Sequence, residues 1–252
     1  MLIKTNALKG YTLKSLDGDM GSASEFYFDD QFWTIRYFVV NPGSWLFGKK
    51  VLVSPYSVKG IDSAEEKVSV FLTKKQIEES PSIDTHEPIS RHYEDTFNGY
   101  YGFPDYWGGP YVWGNYPYIE RDSSKWNVVG LKEKGWDRHL RSTQEVTGYH
   151  IGAIDGEIGH VDDFIVDDKT WMVRYLVVST KNWWPGKRVL ISPKWIEKVS
   201  WEEREVAVGL SRETIKDAPE YTEEVLLTRE YESSLYGHYH REGYWGDEVA
   251  GL

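Results

Sequence analysis

Acidic pairs, a histidine doublet and two arginines set among apolar residues are the side chains of this sequence best placed to do chemistry. Asp17-Gly18 and Asp155-Gly156 offer carboxylates of the kind used in acid–base catalysis. Asp-Gly is also a turn pair, because glycine tolerates positive φ and aspartate bonds nearby backbone, and a turn is expected at both places. Asp29-Asp30 and Asp167-Asp168, with Asp162-Asp163 nearby, could gather a cation. Their spacing lacks the alternating oxygen ligands and closing glutamate of a calcium loop, so solvated hairpin tips are expected instead. Among the histidines (His86, His92, His139, His150, His160, His238 and His240), only His238-Tyr239-His240 could set two imidazoles on one side of a strand. A surface tail is the expected setting for that pair. No glycine-rich phosphate loop precedes a helix, and no serine nucleophile elbow is present. The sequence thus assigns no catalytic residue, no cofactor site and no metal site.

Arg36 and Arg174 each sit inside an apolar run, Ile35 to Val40 and Val173 to Val178. A charge there is costly unless paired, and an ion pair with a nearby turn aspartate is the expected solution. Aromatic residues crowd the segments that follow. Phe97, Tyr100, Tyr101, Phe103, Tyr106, Trp107, Tyr111, Trp113, Tyr116 and Tyr118 are mixed with glycine and proline, and Tyr231, Tyr236, Tyr239, Tyr244 and Trp245 form a second group. Such rings can stack on a sugar, a quinone or another flat ligand. They can equally pin an irregular segment to a small domain short of core, which is the expected role. Trp45 and Trp183 are expected to cover one mouth of each domain.

The chain that must position these residues has 252 of them and a net charge of −11. That charge disfavours nucleic acid, whose generic binding needs clustered lysine and arginine, and it disfavours an anionic membrane surface. With no cysteine, disulfides, thiolate metal sites and cysteine nucleophiles are excluded together. No apolar run reaches the roughly 18 residues of a transmembrane helix, and Met1 to Gly10 lacks the apolar core of a signal peptide. A cytoplasmic location is expected by default.

The sequence repeats itself at an offset of 138 residues, the distance from Asp17-Gly18-Asp19-Met20-Gly21 to Asp155-Gly156-Glu157-Ile158-Gly159. The same offset, without a gap, aligns Trp33 with Trp171, Arg36-Tyr37 with Arg174-Tyr175 and Gly48-Lys49 with Gly186-Lys187. It continues through Ser54-Pro55/Ser192-Pro193, Arg91/Arg229 and Tyr93-Glu94/Tyr231-Glu232 to Tyr106-Trp107-Gly108/Tyr244-Trp245-Gly246. A period this long indicates duplication of a whole domain rather than a solenoid. The expected organisation is a first repeat at 1–108, a connector at 109–138 and a second repeat at 139–252.

Within the second copy, aromatic and β-branched runs bounded by polar turns predict strands at Ile158 to Asp167, Trp171 to Ser179, Lys187 to Ile191 and Ile196 to Ser200, and Val206 and Val208 alternate with Glu205 and Ala207 in a last strand. The Trp171 to Ser179 strand is apolar on both faces, as in a small barrel with something packed outside it. Ser211 is placed to cap a short helix over Glu213 to Asp217, and Thr73 with Gln76 forms the matching cap in the first copy.

The Asp-Gly-x-x-Gly turn, the strand ending in aspartates, the Trp-x-x-Arg-Tyr strand and the Gly-Lys-x-Val-Leu-x-Ser-Pro stretch together resemble the PRC-barrel domain. The likeness covers roughly residues 5 to 80 and 143 to 218. That family includes the cytoplasmic domain of the photosynthetic reaction-centre H subunit and the C-terminal domain of the ribosome-maturation factor RimM. The resemblance implies a mainly β fold of two small barrels in tandem, each with one short helix and an irregular aromatic-rich C-terminal extension. Similarity of fold does not transfer function, but the duplication, the lack of a catalytic constellation and the surplus of aromatic residues point to a non-enzymatic module that takes a protein partner or assembles with itself. Two alternatives stand beside that reading. One is an accessory protein of the photosynthetic light reaction or electron transfer; the other is a small-molecule binder or hydrolase using the aromatic segments. The residues expected to carry structure or interaction are Asp17, Trp33, Arg36, Trp45, Tyr106 and Trp107, with Asp155, Trp171, Arg174, Trp183, Tyr244 and Trp245 in the second copy.

Overall fold

Short β-branched runs separated by polar turns give each copy the same series of strands. The computed structural model describes residues 1–46, 50–81, 89–106, 139–180 and 186–245, without the side chains at 44 and 45. The Trp45 side chain, Trp107, Trp183 and the connector 109–138 lie outside the described residues.

In chain order the first copy contains β1 (Leu2–Lys4), α1 (Thr5–Leu8), β2 (Thr12–Ser15), β3 (Gly18–Asp29), β4 (Thr34–Asn41) and β5 (Val51–Val53). It continues with β6 (Val58–Asp62), β7 (Lys67–Val70), α2 (Lys74–Glu78) and α3 (Arg91–Tyr101). The second copy contains β8 (Leu140–Ser142), α4 (Thr143–Val146), β9 (His150–Ala153), β10 (Gly156–Asp167), β11 (Val173–Ser179) and β12 (Arg188–Ile191). It ends with β13 (Ile196–Ser200), β14 (Glu205–Val208), α5 (Arg212–Asp217) and α6 (Arg229–His238).

Two compact units result, one of Met1, Ile3–Gln144 and Asp167–Met172, the other of Leu2, Glu145–Val166 and Val173–Leu252. The units do not follow the copies, because residues 139–144 and 167–172 of the second copy belong to the first unit. Each unit is mainly β. The first sheet runs β5-β4-β3-β2-β7-β6 and the second runs β12-β11-β10-β9-β14-β13, the same path position for position. Parallel pairing of β2 with β7, and of β9 with β14, joins the two antiparallel halves of each path. Neither path closes, since its end strands are not hydrogen-bonded to each other, so the expected barrels are barrel-like rather than closed. The expected single short helix and irregular extension also give way to more order. An eleven-residue helix, α3, and a ten-residue helix, α6, occupy the aromatic tails.

Asp17 and Asp155 define their turns from both sides. Each accepts a backbone N–H from the start of a distant short helix, Lys74 in one copy and Arg212 in the other, at 2.8 Å. Those bonds, the largest cause in each case, hold both carboxyls below their ordinary value. The predicted caps are present: Thr73 and Gln76 form a capping box on α2, and Ser211 accepts from Thr214 N on α5. Gly21 and Gly159 serve a different purpose. A Cβ on either would lie 2.1 Å from a carbonyl oxygen, that of Asn41 or of Ser179. Backbone cannot retreat as a flexible side chain can. Gly159→Ala should therefore lower stability by about 1–3 kcal/mol in urea unfolding, the usual range for overpacking. Gly60→Ala, where a Cβ meets nothing within 4 Å, should leave the midpoint nearly unchanged.

Candidate functional site

A buried polar cluster in each unit is built around a glutamate contributed by the tail helix. Ser90 caps α3 by accepting from Tyr93 N at 3.2 Å, and Gly102 ends it in the left-handed conformation. Thr228 caps α6 in the same way, from Tyr231 N at 3.3 Å. These caps place Glu94 and Glu232 in the first turn, directed inward and 0% and 3% exposed.

In the first unit Tyr37 Oη, from β4, donates to Glu94 Oε1 at 3.1 Å, and Tyr106 Oη, from beyond α3, donates to the same oxygen at 2.6 Å. His139 Nε2 lies 2.9 Å from Glu94 Oε2, and Arg91 Nη1 lies 3.6 Å from it. The second unit repeats the pattern. Tyr175 Oη and Tyr244 Oη donate to Glu232 Oε1 at 2.7 and 2.8 Å, and Arg229 Nη1 lies 3.2 Å from Oε2. Removing a carboxylate from water costs several kcal/mol, and converging charged and hydroxyl donors are what make such burial tolerable.

Arg36 and Arg174 complete the clusters through a backbone irregularity. Tyr27 faces Tyr37 while Phe28 faces Ile35, so Arg36 is the extra residue of a β-bulge. Ile165 faces Tyr175 while Val166 faces Val173, which puts Arg174 in an identical bulge. A bulge re-aims the side chain it carries. Arg36 lies with its guanidinium 3.8 Å from the centroid of the Tyr106 ring, and Arg174 lies 4.0 Å from that of Tyr244. Cation–π contacts shielded from water reach about 2 kcal/mol. Arg36 also donates to Asp29 Oδ2, from Nη2 at 2.7 Å. The other oxygen of Asp29 holds the hairpin tip by accepting from Gln31 N and Phe32 N at 2.8 and 3.1 Å. Asp167 accepts from Lys169 N and Thr170 N in the same manner.

Apolar packing seats the tail around each cluster. Tyr37, Val39, Leu52 and Phe97 form a buried group against which Tyr93, Tyr101 and Phe103 pack. In the second unit Tyr236 meets Trp195 edge-on at 5.1 Å and Trp245 at 5.1 Å.

The sequence-derived candidates are therefore distributed unevenly. Arg36 with Tyr106, and Arg174 with Tyr244, come together in the two clusters. Asp17 and Asp155 accept the first backbone N–H of α2 and of α5. Trp33 and Trp171 both adopt positive φ, 51° and 60°, after their hairpin tips. Trp171 thus precedes its strand instead of opening it. Trp33 stacks on Phe28 at 5.1 Å, whereas Trp171 is buried edge-on against Phe38 at 4.9 Å. His238 and His240 are not on a strand: His238 ends α6 and reaches the Thr214 carbonyl oxygen at 2.8 Å. No group of three or more metal-ligating side chains occurs among the described residues. Sequence reasoning assigned no chemistry to Tyr37, Glu94, His139, Tyr175 or Glu232. The available signal was the exact recurrence of Arg91, Tyr93-Glu94 and Tyr106 beyond the barrel.

An open depression of about 530 Å³ in the second unit is lined by Ser179, Lys187, Arg188, Glu220, Tyr221 and Glu223 among others. Arg188 Nε is held there by Asp162 at 2.7 Å. One ring among opposed charges is not the stacked-ring platform that a flat ligand would need.

The PRC-barrel domain family model matches residues 145–208, the stretch that runs from within α4 to the end of β14. No curated protein matches the chain. No helix among the described residues is long and apolar enough to cross a membrane.

Truncation variants of the cluster test its energetic role. Tyr106→Phe should cost about 1.5–3 kcal/mol, the range for a hydrogen bond to a charged group. Glu94→Ala should cost about 3–5 kcal/mol, because it strands buried donors and cations, with both read from urea midpoints. A pH dependence follows as well. Burial, reinforced by the Glu94 charge, pushes the Tyr37 and Tyr106 hydroxyls well above their ordinary 10.0. The folded chain keeps protons that the unfolded chain releases above that value. Their stabilisation is complete below pH 10 and falls above it, by about 1.4 kcal/mol per pH unit for each phenol. Phenolate absorbance should therefore lag the ordinary titration and rise together with unfolding.

Proposed function

We propose that this chain is a tandem pair of PRC-type domains acting as a non-enzymatic module for protein interaction or assembly. The family match to residues 145–208 supports the second copy, and the identical strand path of the first unit supports the other. The use of the tail's rings and polar groups for internal packing speaks against an active centre built from them.

The observation that carries the reading is an exposed apolar residue at the same turn in both copies. Leu16 and Ile154, related by the repeat offset, precede the Asp-Gly turns and are 63% and 71% exposed. Phe71 is also exposed, and Leu16 N donates to the carbonyl of the next residue, Leu72, at 2.9 Å. Scattered apolar residues are ordinary on a surface. Here the turn that presents them is fixed by the aspartate's bond to the first N–H of a helix, so little ordering remains to be lost on binding.

Affinity capture of the full chain from its native cell, paired with sedimentation analysis, tests this reading. A stoichiometric partner or a self-assembled species is expected, weakened by the double variant Leu16→Asp/Ile154→Asp with no change in melting temperature. A monomer that retains no stoichiometric protein would overturn it.

A further inference from the structure

Residues of the second copy complete the first unit. β8 lies antiparallel on β3, with Tyr27 opposite Ser142, Phe28 opposite Arg141 and Asp29 opposite Leu140. Arg141 Nε donates to Asp30 Oδ2 at 3.0 Å, and Ser142 Oγ donates to Glu25. Immediately before β8, the His139 carbonyl accepts from Asp30 N at 2.9 Å while its imidazole closes the Glu94 cluster.

The hairpin tip at 167–172 makes a second engagement. The Trp171 carbonyl accepts from Ile35 N at 2.8 Å, and Met172 forms a β-bridge with Thr34. The Trp171 ring, 1% exposed, fills the space beside Phe38. Main-chain bonding fixes register, and an aromatic anchor supplies apolar burial; strand-addition interfaces combine these two features.

One bond of this engagement recurs with the copies interchanged. Asp30 N donates to the His139 carbonyl, and Asp168 N donates to the Met1 carbonyl at 3.0 Å. Adding the offset of 138 to 30 gives 168, and subtracting it from 139 gives 1, so one bond is the image of the other with the copies interchanged.

We infer that the edge of β3 and the turn after it form a docking site whose occupant is another copy of the same repeat. That copy supplies its leading strand and its tryptophan-bearing tip. The tandem chain satisfies the site within one polypeptide, so the covalent connector is not what holds the first unit together. This holds whether or not the chain takes an outside partner.

The test uses the full chain with a protease site inserted within 109–138, cut after folding. The two halves should remain one species at the mass of the uncut chain and separate only on denaturation. In the cut protein, Trp171→Ala should raise the dissociation constant of the halves on the order of thirtyfold, as loss of a central aromatic anchor does. Arg141→Ala removes one ion pair and leaves the core filled; it should raise the constant severalfold even if Trp171→Ala fails to fold. Separation of the cut wild-type halves into folded monomers at micromolar concentration would overturn the inference. Dissociation constants unchanged in both variants would overturn it equally.

Discussion

A buried carboxylate with donors from two directions is the constraint around which each unit is arranged. Glu94 cannot be left in an apolar interior without donors on both oxygens, and the donors belong to segments far apart in sequence. Tyr37 comes from the sheet, Tyr106 from beyond the tail helix and His139 from the start of the second copy. Satisfying one charge therefore requires sheet and tail to be docked together. Apolar contacts such as Tyr37 with Phe97 add attraction, but they tolerate sliding, whereas hydrogen bonds of 2.6 to 3.1 Å to one carboxylate do not.

The bulged arginines follow from the same requirement. In a regular strand the residue beside Tyr37 would point to the opposite face of the sheet. The extra residue in β4 breaks that alternation at Arg36 and lets its guanidinium lie over Tyr106. Arg174 does the same in β11 over Tyr244. Bulge, arginine, tyrosine and glutamate recur together, which fits a set whose members are useful only jointly. Asp29 extends the set in the first unit to the hairpin tip, so the tip, the strand and the tail share a single hydrogen-bonded path.

Local pattern made the strands legible. The runs at Ile158 to Asp167 and Ile196 to Ser200 are short, contain β-branched residues and are bounded by polar turns, and the strands found there agree closely. The helix caps at Thr73 and Ser211 were legible for the same reason, being contained within four residues. The tail helices were hidden because glycine and aromatic residues depress helix propensity, and their amphipathic face becomes useful only against the sheet. The clusters were hidden for a stronger reason. Tyr37 and Glu94 are 57 residues apart, and nothing local marks either as buried. Periodicity cannot report a bulge either, so Arg36 read as a charge in need of a partner, with its ring contact invisible.

The two clusters are not chemically alike. His139 supplies the first carboxylate with an imidazole that also lies 2.9 Å from Tyr106 Oη, and the residue matched to it by the offset is Met1, which carries no such group. The tryptophans diverge as well, Trp33 stacking on its own strand's Phe28 while Trp171 is buried against Phe38. Both differences fall where the second copy contributes to the first unit. The shared strand path, the bulges and the glutamate–tyrosine bonds are the conditions for folding one repeat. The positions that differ, Met1 against His139 and Trp33 against Trp171, stand outside those conditions.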